Sequence, residues 1–267
     1  MAPVARGSTI ACGVHPVSDF NHRILKETAH RPWPLPAAPW LMTQTWHDLL
    51  FAHWAVDAAL LRERVPRALD LELYDGRGWI GVVPFRMTNV SPRGVPGLPG
   101  LSAFPELNVR TYVRVGDKPG VFFFSLDAAS RIAVGFARVM FGLPYFTASM
   151  HVHRNDGTIR YESRRKSASS HPAALHVSYR PIGDAFQAAQ GTHDYFLTER
   201  YCLYTVDRKG RPRRLEIHHP PWPLQKAEAK FERLNMTGQI GLTLPEQPPL
   251  LHFARRLDVV AFPMTRA

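Results

Sequence analysis

Apolar runs of strand length, separated by charged or Gly/Pro-containing turns, recur along most of this chain. They predict strands at residues 49–56, 78–90, 107–115, 121–126, 145–153, 158–164, 174–180, 200–206, 213–219 and 257–262. Several of these runs alternate β-branched or aromatic residues with polar ones, as half-buried strands do. The pattern therefore predicts an α+β fold that is dominated by strands.

Helical patterns are few. Asp57 is placed to cap a short helix over 58–65, and residues 128–141 carry apolar side chains at helical spacing. Residues 227–234 are ambiguous, because alternating apolar and charged residues favour a strand while the composition favours a helix. Residues 94–100 are rich in Gly and Pro and predict a mobile loop. So many strands with so few short helices predict a closed or nearly closed β-barrel.

The strands occupy one continuous domain, predicted over residues 41–267. Residues 1–40 lack periodicity and end in a Pro- and Trp-rich stretch, so they are predicted to be an N-terminal arm. The sequence PWPL occurs at 32–35 in this arm and again at 221–224. If one copy occupied the other's docking site on a neighbouring chain, the arm would support a homodimer.

The net charge of +11 comes from 33 Lys and Arg residues against 22 Asp and Glu, and only six of the basic residues are lysine. The basic clusters at 160–166 and 207–214 have the character of solvated turns, and no nucleic-acid-binding motif accompanies them. We therefore expect no nucleic-acid partner. The two cysteines, Cys12 and Cys202, cannot form a disulfide framework. With no apolar run of membrane length and no signal peptide, the sequence predicts a cytoplasmic protein.

Common catalytic motifs are missing from the sequence, among them the P-loop, GxGxxG, HExxH, GxSxG and CxxC. Their absence argues against nucleotide hydrolysis, Rossmann-type redox chemistry, zinc proteolysis and α/β-hydrolase chemistry. His151 and His153 share one face of a predicted strand, but no third ligand follows at a metal-binding spacing. We predict no metal and no cofactor.

Asn108 and Arg110 occupy alternate positions of one predicted strand. If Val109 and Tyr112 face one side, Asn108 and Arg110 face the other, where an amide and a guanidinium could grip a carboxylate. A polar solvent-facing surface explains the same pattern equally well.

Glu199 and Arg200 form a second candidate pair. They begin a predicted strand, and an acid and a base at this position are either an ion pair or part of a pocket.

Five separated motifs resemble one family. They are ELNVR (106–110), FSLD (124–127), GLPY (142–145), FLTERY (196–201) and HPPWPLQ (219–225). Together they are similar to the YqjF-like family, also called DUF2071, over residues 46–263, which leaves the arm outside the match.

The resemblance implies an acetoacetate decarboxylase-like fold, a β-rich and cone-like barrel with an internal pocket. In the decarboxylase, the corresponding Gly-x-Pro turn is followed by two lysines, the first of which forms a Schiff base with the keto acid. Tyr145 and Phe146 stand at those positions here. The resemblance therefore implies the pocket without the imine chemistry.

A pocket for a small organic carbonyl or carboxylate compound is thus the predicted function. The residues expected to bind the ligand are Asn108, Glu106, Arg200 and Trp222. The residues expected to catalyse are Tyr145, Arg110 and Glu199, with Arg110 stabilising an enolate and Tyr145 or Glu199 moving the proton. The reaction would be an enolisation, cyclisation, dehydration or isomerisation of a keto acid or polyketide-like substrate. The alternative is a binding or sensing protein for small aromatic or acidic compounds, without turnover.

Overall fold

The computed structural model describes residues 23–95, 102–130, 134–135, 142–166 and 172–267. Three predictions fall wholly or largely outside these residues: the first half of the arm, most of the loop at 94–100 and most of the helix at 128–141. The end of β5 extends to Ala128, the first residue of that predicted helix.

The described residues form one sheet of thirteen strands with very little helix. The strands are β1 (Met42–Val56), β2 (Asp70–Leu71), β3 (Gly78–Pro92), β4 (Phe104–Val115), β5 (Lys118–Ala128), β6 (Tyr145–Asn155), β7 (Thr158–Arg165), β8 (Ala174–Phe186), β9 (Cys202–Val206), β10 (Pro212–His218), β11 (Leu224–Leu234), β12 (Leu250–Ala261) and β13 (Thr265–Arg266). The helical segments are α1 (Ala58–Arg62), α2 (His193–Thr198) and a 3₁₀ turn (Gly238–Ile240). The predicted β-dominated α+β class is confirmed.

Local chemistry explains both helices. The Asp57 carboxylate accepts hydrogen bonds from the backbone N–H groups of Ala59 and Leu60, as expected for the cap of α1. The sequence pattern missed α2, which has six residues, too few to show a periodic apolar stripe, and is capped by Thr192. The ambiguous segment at 227–234 lies in β11, because it pairs along its length with β8. Tertiary pairing here outweighs helix propensity.

The strand pairings close into a ring of nine strands, in the order β1, β3, β4, β5, β6, β7, β8, β11 and β12. The sheet also forks at β5. Its residues Leu126–Ala128 pair in parallel with β6, while Val121 and Phe122 pair in parallel with β9. From β9 the pairing continues through β10 to β12, which closes a second, smaller ring of seven strands: β1, β3, β4, β5, β9, β10 and β12.

Alternation along β4 gives the sheet two different faces. Leu107 and Val109 pack into the main hydrophobic core, together with apolar residues of β1, β7 and β8. The prediction that Tyr112 shares the face of Val109 is wrong, because its hydroxyl lies 3.4 Å from Nη2 of Arg110. Residues two and four positions apart on a strand share a face, so Tyr112 lies with Arg110 and Asn108.

The described part of the arm is anchored on β10 of the same chain. The Arg31 guanidinium donates to the carbonyl of Ile217 at 2.7 Å and to the Glu216 carboxylate at 3.1 Å. The Trp33 indole N–H donates to the same carboxylate at 2.8 Å, so the first PWPL segment is held by its own domain. Neither helix in the described ranges has the length and apolar character that crossing a membrane requires.

Candidate functional site

A cavity of about 420 Å³ is lined mainly by β1, β3, β4, β5, β9, β10 and β12, and Tyr145 at the start of β6 and Thr198 at the end of α2 complete its wall. Most of the wall is apolar, and the large rings that line it are those of Trp46, Phe85, Phe104, Phe123 and Trp222. Trp46 packs against Phe85 and Trp222 with centroid distances of 5.6 and 5.7 Å. This volume and apolar character are typical of small-molecule sites.

Strand β4 supplies the polar groups of the cavity. Glu106, Asn108 and Arg110 occupy alternate positions, so their side chains all reach the cavity wall. On neighbouring β3, Gly81 pairs with Arg110 and leaves space for its side chain. A Cβ at Gly81 would lie 3.3 Å from Cγ of Arg110 and 3.1 Å from the His53 ring, tighter than most such contacts.

Arg110 is a buried cation without a carboxylate partner. It is 8% exposed, and no ion pair within 4 Å involves it in the described part of the chain. Its Nη2 donates to the Leu197 carbonyl at 3.0 Å, whereas Nε meets no acceptor among the described residues. Burial of a charge is costly unless an opposite charge compensates it. Arg110 is therefore suited to bind an anionic ligand.

Tyr112 and His53 fix the position of Arg110. The Tyr112 hydroxyl donates to the Leu197 carbonyl at 2.8 Å and lies 2.6 Å from Nε2 of His53. Burial, followed by the charge of Arg110, holds the pKa of His53 well below its ordinary value. The imidazole is therefore neutral, and its Nε2–H donates to the Tyr112 oxygen. The sequence prediction omitted both residues, although strand alternation could have placed Tyr112 beside Arg110.

Glu106 is the cavity group whose protonation changes most readily near neutral pH. It is 4% exposed, and the Tyr145 hydroxyl donates to its Oε2 at 2.9 Å. Burial raises the pKa of Glu106 to about 8, with a smaller contribution from the charge of Asp127 and an opposing one from the Tyr145 hydrogen bond. Burial also raises the pKa of Tyr145 well above its ordinary value. The phenol therefore stays protonated while Glu106 titrates.

Tyr145→Phe is expected to raise the pKa of Glu106. The variant loses a hydrogen bond that stabilises the carboxylate form and leaves the ring in place. Carboxyl ¹³C chemical shifts of labelled Glu106, followed between pH 5 and 10, measure the midpoint. An unchanged or lower midpoint in the variant would show that the hydroxyl does not stabilise the carboxylate.

Two further polar groups of the cavity wall have no partner. The Oδ1 atom of Asn108 and the Nε1 atom of Trp222 form no hydrogen bond within the described residues. Both side chains are buried. An unsatisfied buried polar atom is destabilising, and a ligand that supplied a donor to Asn108 and an acceptor to Trp222 would remove that cost.

Arg200 also lines the cavity, but its charge is already compensated. Its guanidinium is paired with the Glu72 carboxylate, and its Nε donates to the Phe196 carbonyl at 2.7 Å. The guanidinium carbon lies 4.5 Å from the centre of the Phe196 ring. Arg200 therefore closes one wall of the cavity and leaves Arg110 as the available cation.

Glu199 lies outside this cavity, which corrects its predicted grouping with Tyr145 and Arg110. Its carboxylate accepts the backbone N–H of Trp222 at 2.8 Å and the Tyr201 hydroxyl at 2.6 Å. It lines a separate polar pocket of about 280 Å³ beside the arm. Successive residues of an extended segment point in opposite directions, so Arg200 and Glu199 reach different pockets.

Glu199→Ala is expected to lower the free energy of unfolding by about 2–4 kcal/mol. The substitution leaves the Trp222 N–H and the Tyr201 hydroxyl buried without their acceptor. Urea denaturation followed by tryptophan fluorescence measures the change. Glu228→Ala is the control, because its partner Arg180 and the carboxylate itself are both exposed. Equal stability of the two variants would contradict the buried role of Glu199.

The histidine pair that the sequence offered as a metal-binding candidate does not line the cavity. His151 and His153 are exposed on β6. No group of three His, Cys, Asp or Glu side chains arranged to hold a metal ion occurs in the ranges that the structure covers.

Similarity to solved structures places the fold in a known class. The enduracididine biosynthesis enzyme MppR, complexed with the condensation product of pyruvate and imidazole 4-carboxaldehyde, has a TM-score of 0.58 at 12% identity, over 86% of this chain and 90% of that chain. An acetoacetate decarboxylase structure has a TM-score of 0.57 at 12% identity, over 92% and 97%. The protein therefore has the acetoacetate decarboxylase-like fold.

Sequence similarity then gives the family. Residues 43–258 match the model of DUF2071, described as an uncharacterized conserved protein. The protein YqjF of Bacillus subtilis (strain 168) is 49% identical over 232 residues, which are 87% of this chain and 95% of YqjF. The chain belongs to the DUF2071 family, as its five motifs predicted.

Proposed function

We propose that this protein is an enzyme that enolises a keto acid by general acid–base catalysis in the cavity. The observation that carries the proposal is the arrangement on β4, where Glu106, Asn108 and Arg110 reach one apolar cavity. A carboxyl group that titrates near neutral pH stands two positions from an unsatisfied amide and four from an uncompensated guanidinium. Perturbed acids beside an anion-binding group are typical of active sites.

In the proposed step, the Glu106 carboxylate takes a proton from the carbon next to the substrate carbonyl. The electron pair of the broken C–H bond becomes the C=C bond, and the carbonyl π electrons move to oxygen to form an enolate. Return of the proton from Glu106 to carbon or oxygen regenerates the carboxylate. Because the pKa of Glu106 is about 8, it can both accept and return a proton near neutral pH.

Arg110 and Asn108 stabilise the charge of this intermediate. The guanidinium binds the substrate carboxylate, and the Nδ2–H group of Asn108 donates to the enolate oxygen, while Oδ1 of Asn108 accepts from the hydroxyl once the intermediate is protonated to the enol. No lysine is among the described residues that line the cavity, so the proposed step does not pass through an imine. The keto acid class is supported by analogy in fold, since MppR was solved with pyruvate bound.

Deuterium exchange into a keto acid tests the proposal. The full-length protein is incubated with 2-oxooctanoate in D₂O, and loss of the C3 hydrogens is followed by ¹H NMR. The proposal predicts exchange above the buffer rate that increases with pH to a midpoint near 8. Saturable binding without exchange would support the non-catalytic binding protein instead, and neither binding nor exchange would reject the substrate class.

A further inference from the structure

The residues of β4 that reach the cavity change from apolar to charged along the strand. Along β4 the residues that reach the wall run from Phe104 through Glu106 and Asn108 to Arg110. The six residue steps from Phe104 to Arg110 span about 20 Å of strand. Beside Phe104, β3 places Met87. The cavity therefore has a cationic end at Arg110 and, at Phe104, an apolar end whose described lining is uncharged and mostly apolar.

The cationic end of the cavity carries one positive charge that no carboxylate balances, so it favours a ligand with one negative charge. Arg110 has no carboxylate within 4 Å in the described part of the chain, whereas Arg200 is paired with Glu72. Glu72 also pairs with Arg114, at 2.9 Å, so it is not available to Arg110. The nearby Glu106 carboxyl is mostly neutral at pH 7, since burial raises its pKa to about 8. A monoanionic head group balances the remaining charge.

The apolar end offers a surface that a short keto acid would leave uncovered. Trp46, Phe85 and Trp222 form a contiguous aromatic cluster in the wall. Phe104 lies six positions from Arg110 along β4, so a three-carbon acid held at Arg110 is too short to cover the Phe104 ring. Filling an apolar pocket of this kind adds affinity for each buried CH₂ group.

We propose that the substrate is an elongated monocarboxylic acid with a medium-length acyl or aryl tail. Its carboxylate binds the Arg110 guanidinium, and its keto oxygen lies between Asn108 and Glu106. Its tail packs between the aromatic cluster and Phe104. This assignment rests on the proposed function for the position of the reacting carbon, but the contacts of the head and the tail stand independently of turnover.

Isothermal titration calorimetry with unbranched monocarboxylates from butanoate to decanoate tests this assignment on the full-length protein. We expect the dissociation constant to fall about three- to fourfold for each added CH₂ until the cavity is filled. Primary alcohols of equal length, which lack the charge, are expected to bind at least ten times more weakly. Affinity that does not depend on length, or alcohols that bind as tightly as the acids, would overturn it.

Two variants locate the tail and one serves as the control. Phe104→Ala is expected to weaken the binding of decanoate more than that of butanoate. Met87→Phe is expected to prevent decanoate from binding, while butanoate still binds. Val109→Ala removes apolar atoms from the opposite face of the same strand, so it should leave the length dependence unchanged. If Phe104→Ala fails to fold, the length dependence of binding to Met87→Phe alone shows where the tail lies. Equal length dependence in Met87→Phe and in the unmodified protein would place the tail elsewhere.

The results that would reject the elongated ligand differ from those that would reject the enolisation. Length-dependent binding of the acids without deuterium exchange would uphold the ligand class and reject the enolisation. Exchange that is equally fast for 2-oxobutanoate and 2-oxooctanoate, with no gain in affinity along the series, would uphold the enolisation and reject the elongated tail.

Discussion

Glu106→Gln is expected to slow deuterium exchange of 2-oxooctanoate by about 100- to 10,000-fold, the usual contribution of a general acid–base group. Glutamine fills the same space and can hydrogen-bond Tyr145, but it cannot take the proton from carbon. The pH midpoint near 8 in the exchange rate should disappear with it, because that midpoint belongs to Glu106. Binding of octanoate should be retained.

The same variant gives an independent check through stability. Folding raises the pKa of Glu106 from 4.5 to about 8, so the folded state binds this proton more tightly than the unfolded state. The stabilisation is complete below pH 4.5 and is lost as pH rises to 8. Relative to Glu106→Gln, the unmodified protein should lose on the order of 4 kcal/mol of unfolding free energy across this window. If the unfolding free energies of the two proteins changed with pH in parallel, the raised pKa of Glu106 would be contradicted.

Exchange by Glu106→Gln at more than a tenth of the normal rate would remove Glu106 as the base. The matched control is Glu162→Gln on β7, whose carboxylate is partly exposed and pairs with Arg160 away from the cavity. It should exchange at the normal rate. A loss of the same size in both variants would point to a general change in the protein rather than to loss of the proton acceptor.

Arg110→Leu is expected to weaken binding of octanoate by about 100-fold or more, because it removes the one uncompensated cation among the described cavity residues. The free energy of unfolding should remain similar or increase, since an unpaired buried charge is replaced by an apolar side chain. Calorimetry and urea denaturation measure the two effects. A variant that binds octanoate normally would show that the carboxylate does not lie on Arg110.

Arg200→Leu is the contrasting variant. It leaves the largely buried Glu72 carboxylate with only the more exposed Arg114 as its partner, so it should lower the free energy of unfolding by about 1–3 kcal/mol. Its effect on affinity should be smaller than that of Arg110→Leu, because Glu72 already balances its charge. If both variants lost stability equally, Arg110 would have a counter-charge in the protein and its role as ligand cation would fail.

Much of the fold followed from local pattern. Alternation and turn residues predicted most of the long strands, and the five separated motifs together predicted the family that the comparisons confirm. The segment at 227–234 could not be assigned, because its pairing with β8 depends on residues about fifty positions away. The fork of the sheet at β5 was equally invisible, since pairing with β6 and β9 is non-local.

The sequence pattern could predict which candidate residues share a face, but not which of them line the cavity. Glu106, Asn108 and Arg110 share a face by strict alternation, which a sequence displays directly. Whether Glu199 or its neighbour Arg200 faced the cavity depended on the exit from α2, a helix too short to recognise. Burial sets the pKa of Glu106, and burial follows from the tertiary structure alone. The sequence therefore assigned proton transfer to Tyr145 or Glu199 and ligand binding to Glu106, whereas the proposed function assigns the proton to Glu106.

A crystal structure with bound 2-oxooctanoate would show where the ligand lies. We expect it inside the cavity, with its carboxylate within hydrogen-bond distance of the Arg110 guanidinium. Its keto oxygen should lie near the Asn108 amide, its C3 atom beside the Glu106 carboxyl, and its tail toward Phe104. A ligand with its carboxylate turned away from Arg110, or bound outside the cavity, would rule out Arg110 and Glu106 as the groups that bind and enolise the keto acid.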